Sequence, residues 1–147
     1  MVALQFELME IKKNSATASL SGAPYATVIR TGGHDIIADE PADHGGLNKG
    51  PRPHDYILAA LSSCTCITVR MYADRKGWDL QNVVADLQME RIVENGVQRT
   101  NIVQQLQFEG NLSAEQKERL LYISGKCPVH KTLSLSMQIE NRLIQSS

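Results

Sequence analysis

Three cysteines are the only thiols in the chain, and their placement poses the first chemical question. Cys64 and Cys66 sit in the stretch ALSSCTCITVRMYADRKG with one residue between them, and Cys127 lies well downstream in GKCPVHKT. A thiol so placed can pack as a small apolar side chain, ligate a metal, or exchange electrons with an oxidant. On a helix, Cys64 and Cys66 point about 200° apart. They therefore share neither a metal nor a disulfide easily, and at most one of them faces a given site. Pro128 follows Cys127 and suits the first turn of a short helix, which makes Cys127 its N-cap. A helix N-terminus favours a thiolate, and Lys126, His130 and Lys131 add positive charge nearby. The opposing reading is that Cys127 is a small buried cap and those charges face water.

A zinc site would need four ligands. Cys127 and His130 have a C-x-x-H spacing and Cys64 could add a third ligand, but no second such pair exists in the chain. A Cys64–Cys127 redox pair fits better: one thiolate attacks an oxidant to become a sulfenic acid, and the other condenses with it to a disulfide. That chemistry needs cations or donors beside the thiolate. Arg30, His34, Arg52, His54 and His130 are the candidates, although a surface histidine is the plainer reading of any one of them.

The elements that must position these groups can be read along the chain. Residues 2–9 read as a strand, as do ATASLS and YATVIRT, with Gly22-Ala23-Pro24 as a breaker between the last two. HDIIADEP reads as a short strand ending at Pro41, and residues 42–53 as a loop dense in glycine and proline. A long helix should open at Pro53 or His54, with Asp55 complementing its dipole, and stop at Gly77. Ile57, Leu61, Cys64, Thr68 and Met71 share one of its faces. The remaining positions are nearly as small or apolar, so the helix should be covered on more than one side. WDLQNVVADLQMERIV reads as a strand with Val83, Ala85, Leu87 and Met89 on one face, Asn95-Gly96 as a hairpin turn, and RTNIVQQLQFEG as the returning strand. Ser113 and Gln116 form a capping box for a helix to about Ser124. A helical turn after GKCP and a last strand, SLSMQIENRLI, complete an α+β chain with mostly antiparallel pairing.

The 147 residues are 42% hydrophobic and 21% charged, with a net charge of −1. One domain is expected. Nothing in the charge balance points to nucleic acid or a membrane surface. The N-terminal stretch lacks the pattern of a signal peptide, and no run of uninterrupted apolar residues is long enough to suggest a membrane span. A cytoplasmic location is expected, where cysteines are seldom structural disulfides.

The stretch ADEPADHGGLNKGPRPHDYILAALSSCTCITVRMYADRKGWDLQNV closely resembles the central motif of the OsmC/Ohr family, the osmotically inducible and organic hydroperoxide resistance proteins. GKCPVHKTL resembles that family's second cysteine motif at the expected distance, and the general OsmC-like branch is nearer than the hydroperoxide-resistance branch. The resemblance implies an α+β homodimer of intertwined subunits, with the cysteine helices at its centre and active sites at the subunit interface. It implies that Cys64 is the peroxidatic cysteine and Cys127 the resolving one, whereas Cys66 has no part in the mechanism. It implies a hydroperoxide substrate, an external dithiol reductant, and no metal, haem or flavin. It also reverses the local argument, which made Cys127 the more acidic thiol.

Members with strong peroxidase activity place an arginine after an early TGG and a glutamate after the proline that opens the helix. Here those positions hold His34 and His54. Asp55 is the expected substitute for the glutamate, and Arg30 or Arg52 for the arginine. The rival reading is a non-catalytic, dimeric, stress-related protein that binds a small apolar ligand at the subunit interface.

Overall fold

The computed structural model describes residues 13–144. The strand expected at residues 2–9 lies outside them. The chain forms two compact units, one up to Pro53 and one from His54 onward.

The first unit is an antiparallel meander of β1 (Ala16–Leu20), β2 (Thr27–Thr31) and β3 (His34–Ala38), in that spatial order. Gly32 and Gly33, with φ of 57° and 81°, make the tight turn between β2 and β3, which sets Thr31 opposite His34 and Arg30 opposite Asp35. The loop beyond β3 holds more structure than its composition suggests, because a one-turn 3-10 helix spans Ala42–His44. Asp39 organises this loop from inside. Its buried carboxylate accepts the backbone N–H groups of Glu40 at 2.8 Å, Leu47 at 3.2 Å and Lys49 at 3.1 Å.

The second unit contains α1 (Pro53–Lys76), β4 (Asp79–Glu94), β5 (Val97–Asn111), α2 (Ala114–Ser124) and α3 (Pro128–Ser134). The expected stop of α1 is present: Gly77 takes φ of 65°, Trp78 N–H reaches the Ala73 carbonyl and Gly77 N–H that of Asp74, a Schellman closure. The Asn95-Gly96 turn has positive φ at both residues and joins β4 to β5 in one long antiparallel ribbon. Ser113 and Gln116 make the reciprocal capping box of α2. Val69 and Ala73 of α1, Leu80 of β4 and Leu120 of α2 form the buried core, with Val83, Phe108 and Trp78 packed around it. Arg70 donates to the carbonyls of Leu80 and Gln81, where the β4–β5 register shifts. Arg119 Nε donates to the Tyr72 hydroxyl at 3.0 Å and ties α2 to α1.

Three expectations need correcting. The buried line of α1 is Leu61, Thr65, Val69 and Ala73, a strict four-residue spacing, whereas Met71 from the expected face is 58% exposed. The helix is so rich in small residues that composition does not single out a face. Nor does the chain itself cover a second side, since Ile67 is also 58% exposed. The C-terminal stretch after α3 is not a strand among the described residues; it alternates in sequence but pairs with neither sheet. By length and hydropathy alone α1 could cross a bilayer. Its buried line instead packs against β4 and α2, as a core helix does.

Candidate active site

Cys64 enters the site from the middle of α1, and Cys127 from the turn between α2 and α3. Cys127 is the N-cap of α3, and its sulfur accepts the His130 backbone N–H at 3.2 Å. Pro128 at the first helical position fixes the turn, as its missing N–H costs the helix nothing there. The two thiols are near enough that Cys64 acts on the ionisation of Cys127. All three cysteines are free thiols. Cys66 turns away, as the helical geometry requires, and its thiol lies 3.9 Å from the Val83 carbonyl.

The surroundings of Cys127 invert the local expectation of an acidic thiol. Cys127 is completely buried, and burial pushes its pKa up. The His130 N–H and the Thr65 hydroxyl pull it down, while the neighbouring Cys64 raises it further. Burial prevails because the nearby cations give little help: the Lys126 ammonium lies 4.7 Å from the centre of the Tyr122 ring, and Lys131 is exposed.

Thr65 joins the thiols to a cavity. It is fully buried between the two cysteines of α1. Its hydroxyl lies 3.9 Å from the Cys127 sulfur and donates to Gln104 Oε1 at 3.1 Å. Gln104 and His130 line a cavity of about 460 Å³, walled by Ile57 and Leu61 of α1, Met89 of β4 and Ile102 of β5. His54 also lines it, and Arg91 Nη1 stands 3.2 Å from Nε2 and 3.3 Å from Nδ1 of that imidazole.

The sequence-derived candidates thus divide. Cys64, Cys127, His54 and His130 belong to the second unit: the two cysteines form the thiol pair, and the two histidines line the cavity beside it. Asp55 lies in the first turn of α1. Arg30, His34 and Arg52 belong to the first unit. There Arg30 faces Asp35 at 3.9 Å, Arg52 faces Glu40 at 3.5 Å and the His44 ring at 3.2 Å, and His34 opens β3 on the exposed turn. Among the described residues no group of three or more histidine, cysteine or carboxylate side chains could hold a metal ion. Thr65, Gln104 and Arg91 were not singled out from the sequence. The strand parity held a signal for two of them. Gln104 and Arg91 continue the inward faces of β5 and β4, where neighbouring inward positions are Ile102, Leu106, Leu87 and Met89.

A family model described as "OsmC-like protein" matches residues 46–141. No curated protein matches the chain. Among solved structures, an OsmC-like protein from Mycoplasma pneumoniae is similar at a TM-score of 0.72 and 23% identity, over 84% of this chain and 88% of that one. An organic hydroperoxide resistance protein from Legionella pneumophila is similar at a TM-score of 0.65 and 15% identity, over 84% and 90%. The organic hydroperoxide resistance protein OhrB of Bacillus subtilis is similar at a TM-score of 0.61 and 17% identity, over 82% and 90%. At such identities the structural likeness carries the fold alone, while the family match spans both cysteine motifs, and the chain belongs to the OsmC-like protein family.

Proposed function

We propose that the chain is a cysteine-based peroxidase acting on organic hydroperoxides or hydrogen peroxide, as a cytoplasmic homodimer of single OsmC-like domains. The observation that carries this reading is the nearness of Cys64 to the buried Cys127 thiol beside an apolar-walled cavity. The Cys64 thiolate attacks the terminal peroxide oxygen and the O–O bond breaks. The leaving oxygen takes up a proton to depart as alcohol or water, and Cys64 becomes a sulfenic acid. Cys127 then attacks the Cys64 sulfur, water leaves, and a disulfide forms. An external dithiol restores both thiols and is itself oxidised to a disulfide.

The burial of Cys127 supports this division of labour. A thiol kept neutral by burial is a poor first nucleophile, but it is well placed to resolve a sulfenic acid formed beside it. Within this reading His34 and His54 stand where the family's arginine and glutamate would, with Asp55, Arg30 and Arg52 as possible substitutes. Single substitutions of these five would measure their shares. Titrating the protein with cumene hydroperoxide should remove two thiols per chain and yield an intramolecular Cys64–Cys127 disulfide. Cys64→Ser should abolish peroxide consumption, and full activity in that variant would refute the mechanism.

The rival is a non-catalytic protein that binds a small apolar ligand, and the cavity's aliphatic wall favours it. Thiols that stay unreactive through the same titration would decide for this rival.

A further inference from the structure

Serine and threonine inside a helix commonly turn their hydroxyl back onto a carbonyl of the preceding turn. Ser62 and Ser63 of α1 do so, donating to the Ala59 carbonyl at 3.1 and 2.7 Å. Thr65 does not follow them. Its hydroxyl donates to Gln104 Oε1 of β5 at 3.1 Å, and the same oxygen lies 3.9 Å from the Cys127 sulfur. Gln104 is itself out of place by pattern. It interrupts a row of Ile102, Leu106 and Phe108 on the inward face of β5, opposite Leu87 of β4. A half-buried amide in an apolar row costs stability unless it is hydrogen-bonded, so a leucine would serve packing better there.

A hydroxyl has one proton to donate. Gln104 Oε1 and the Cys127 sulfur compete for it, and the amide oxygen is both closer and the stronger acceptor while the thiol is neutral. With the proton held by Gln104, the Thr65 oxygen turns its lone pairs to the sulfur, which suits an S–H donor and not a thiolate. The other groups around this sulfur are fixed or engaged elsewhere. The His130 backbone N–H donates to it at 3.2 Å and is held in place by α3 in either ionisation state. Cys64 of α1 is its titratable neighbour, the His130 ring lines the cavity, and the Lys126 ammonium at the end of α2 lies over the Tyr122 ring. The Thr65 proton is the part that can turn.

We propose that Gln104 is a positioning residue for the resolving step: by holding the Thr65 hydroxyl proton it withholds that proton from the Cys127 sulfur and keeps the thiol neutral. The resolving role of Cys127 rests on the peroxidase reading; the hold on its ionisation does not. In the reduced protein the hold keeps Cys127 from competing with Cys64 for peroxide. Once Cys64 is a sulfenic acid, Cys127 releases its proton and the Thr65 hydroxyl turns from Gln104 to the sulfur. The thiolate attacks the Cys64 sulfur, the S–O bond breaks, and the departing hydroxide with the released proton makes water. Gln104 therefore slows resolution while it guards against misdirected oxidation.

The test follows the ionisation of Cys127 by the carbon-13 shift of its labelled Cβ against pH, in a Cys64→Ser background that keeps the second thiol from titrating with it. Gln104→Leu should titrate about one pH unit lower than its parent, the scale of one hydrogen bond to a charged group. Gln104→Met, which keeps the length of the side chain, should do the same, and thermal melts report whether each variant is folded. Thr65→Val should titrate higher than the parent, and adding Gln104→Leu to it should change nothing further, because Gln104 acts through the hydroxyl alone. A glutamine with a merely structural role would give no such downward move. An unchanged or raised curve in the folded Gln104 variants, or the same downward move in the Thr65→Val background, would overturn the proposal. A single turnover with cumene hydroperoxide, with all cysteines in place, gives the kinetic counterpart. Gln104→Leu should close the disulfide about threefold faster at neutral pH, since about tenfold more thiolate is offset by about threefold lower nucleophilicity. The two failures are separable. A protein whose titration moves as stated but which consumes no peroxide keeps the Gln104 hold and loses the peroxidase; one that consumes peroxide with an unmoved titration keeps the peroxidase and loses the hold.

Discussion

The ionisation of Cys127 is decided by a few atoms. Burial holds its thiol neutral into the alkaline range, and the Thr65 hydroxyl and His130 N–H oppose that. In a Cys64→Ser variant, alkylation of Cys127 should be slow at neutral pH and accelerate only above the ordinary thiol range, since the thiolate is the reacting form. Thr65→Val should move that profile to higher pH and Thr65→Ser should leave it nearly in place; coincident profiles for the two would show that the hydroxyl does not act on the sulfur. The sign for stability follows the same logic. A folded-state pKa above the unfolded value gives a contribution that is complete below the unfolded pKa and disappears as pH rises through the folded one, so this group weakens the fold on the alkaline side. At this scale the cysteines were legible in the sequence because thiols are rare and their motifs distinctive. The electrostatics were not: the N-cap and the lysines argued for an acidic Cys127, and burial, which no local pattern records, outweighed them.

The elements that signal their own ends were read most closely. The Ser113–Gln116 capping box, the Asn95-Gly96 turn and the Gly77 stop are local devices whose chemistry is complete within a few residues. Ser113→Ala should cost about 1 kcal/mol in a denaturant midpoint experiment, the usual value of such a cap. The glycines of the loop after β3 answer to packing instead. A Cβ on Gly46 would fall 1.8 Å from the Glu40 carbonyl oxygen, and one on Gly50 would fall 2.0 Å from that of Ile37. Both neighbours are backbone and cannot swing aside. Gly46→Ala and Gly50→Ala should therefore each destabilise by more than about 2 kcal/mol, well beyond an ordinary surface substitution. A denaturation midpoint shared with wild type would show that the loop relaxes at little cost. Asp39, which gathers this loop around its carboxylate, was not singled out, because an aspartate before a proline-rich loop looks like any solvated turn residue until its three N–H partners are seen.

What the chain leaves exposed bears on its assembly. The buried core of the second unit is short, and large apolar side chains remain on its surface: Ile67 and Met71 on α1, Val84 and Val103 on the outer face of the ribbon, and Ile139, Leu143 and Ile144 beyond α3. Apolar surface on this scale marks an interaction face more often than bare monomer surface. The same deficit explains two misreadings. The small residues of α1 implied cover on a second side, and the alternation of the C-terminal stretch implied a strand; neither finds its partner within the described chain. Patterns selected for contact with another molecule look identical, in sequence, to patterns selected for an internal core. A second copy of the chain is the natural occupant, given the homodimer that the family resemblance implies. Sedimentation at micromolar concentration should find a dimer, and the Ile67→Glu, Met71→Glu double variant should dissociate it, since an ionised carboxylate resists the loss of water that an apolar interface imposes. Neither residue belongs to the buried line of α1, so the folded monomer should survive the change. If the variant is monomeric and folded yet consumes peroxide at the wild-type rate, each active site is complete within one chain; if its rate falls with dissociation, the partner contributes to the site.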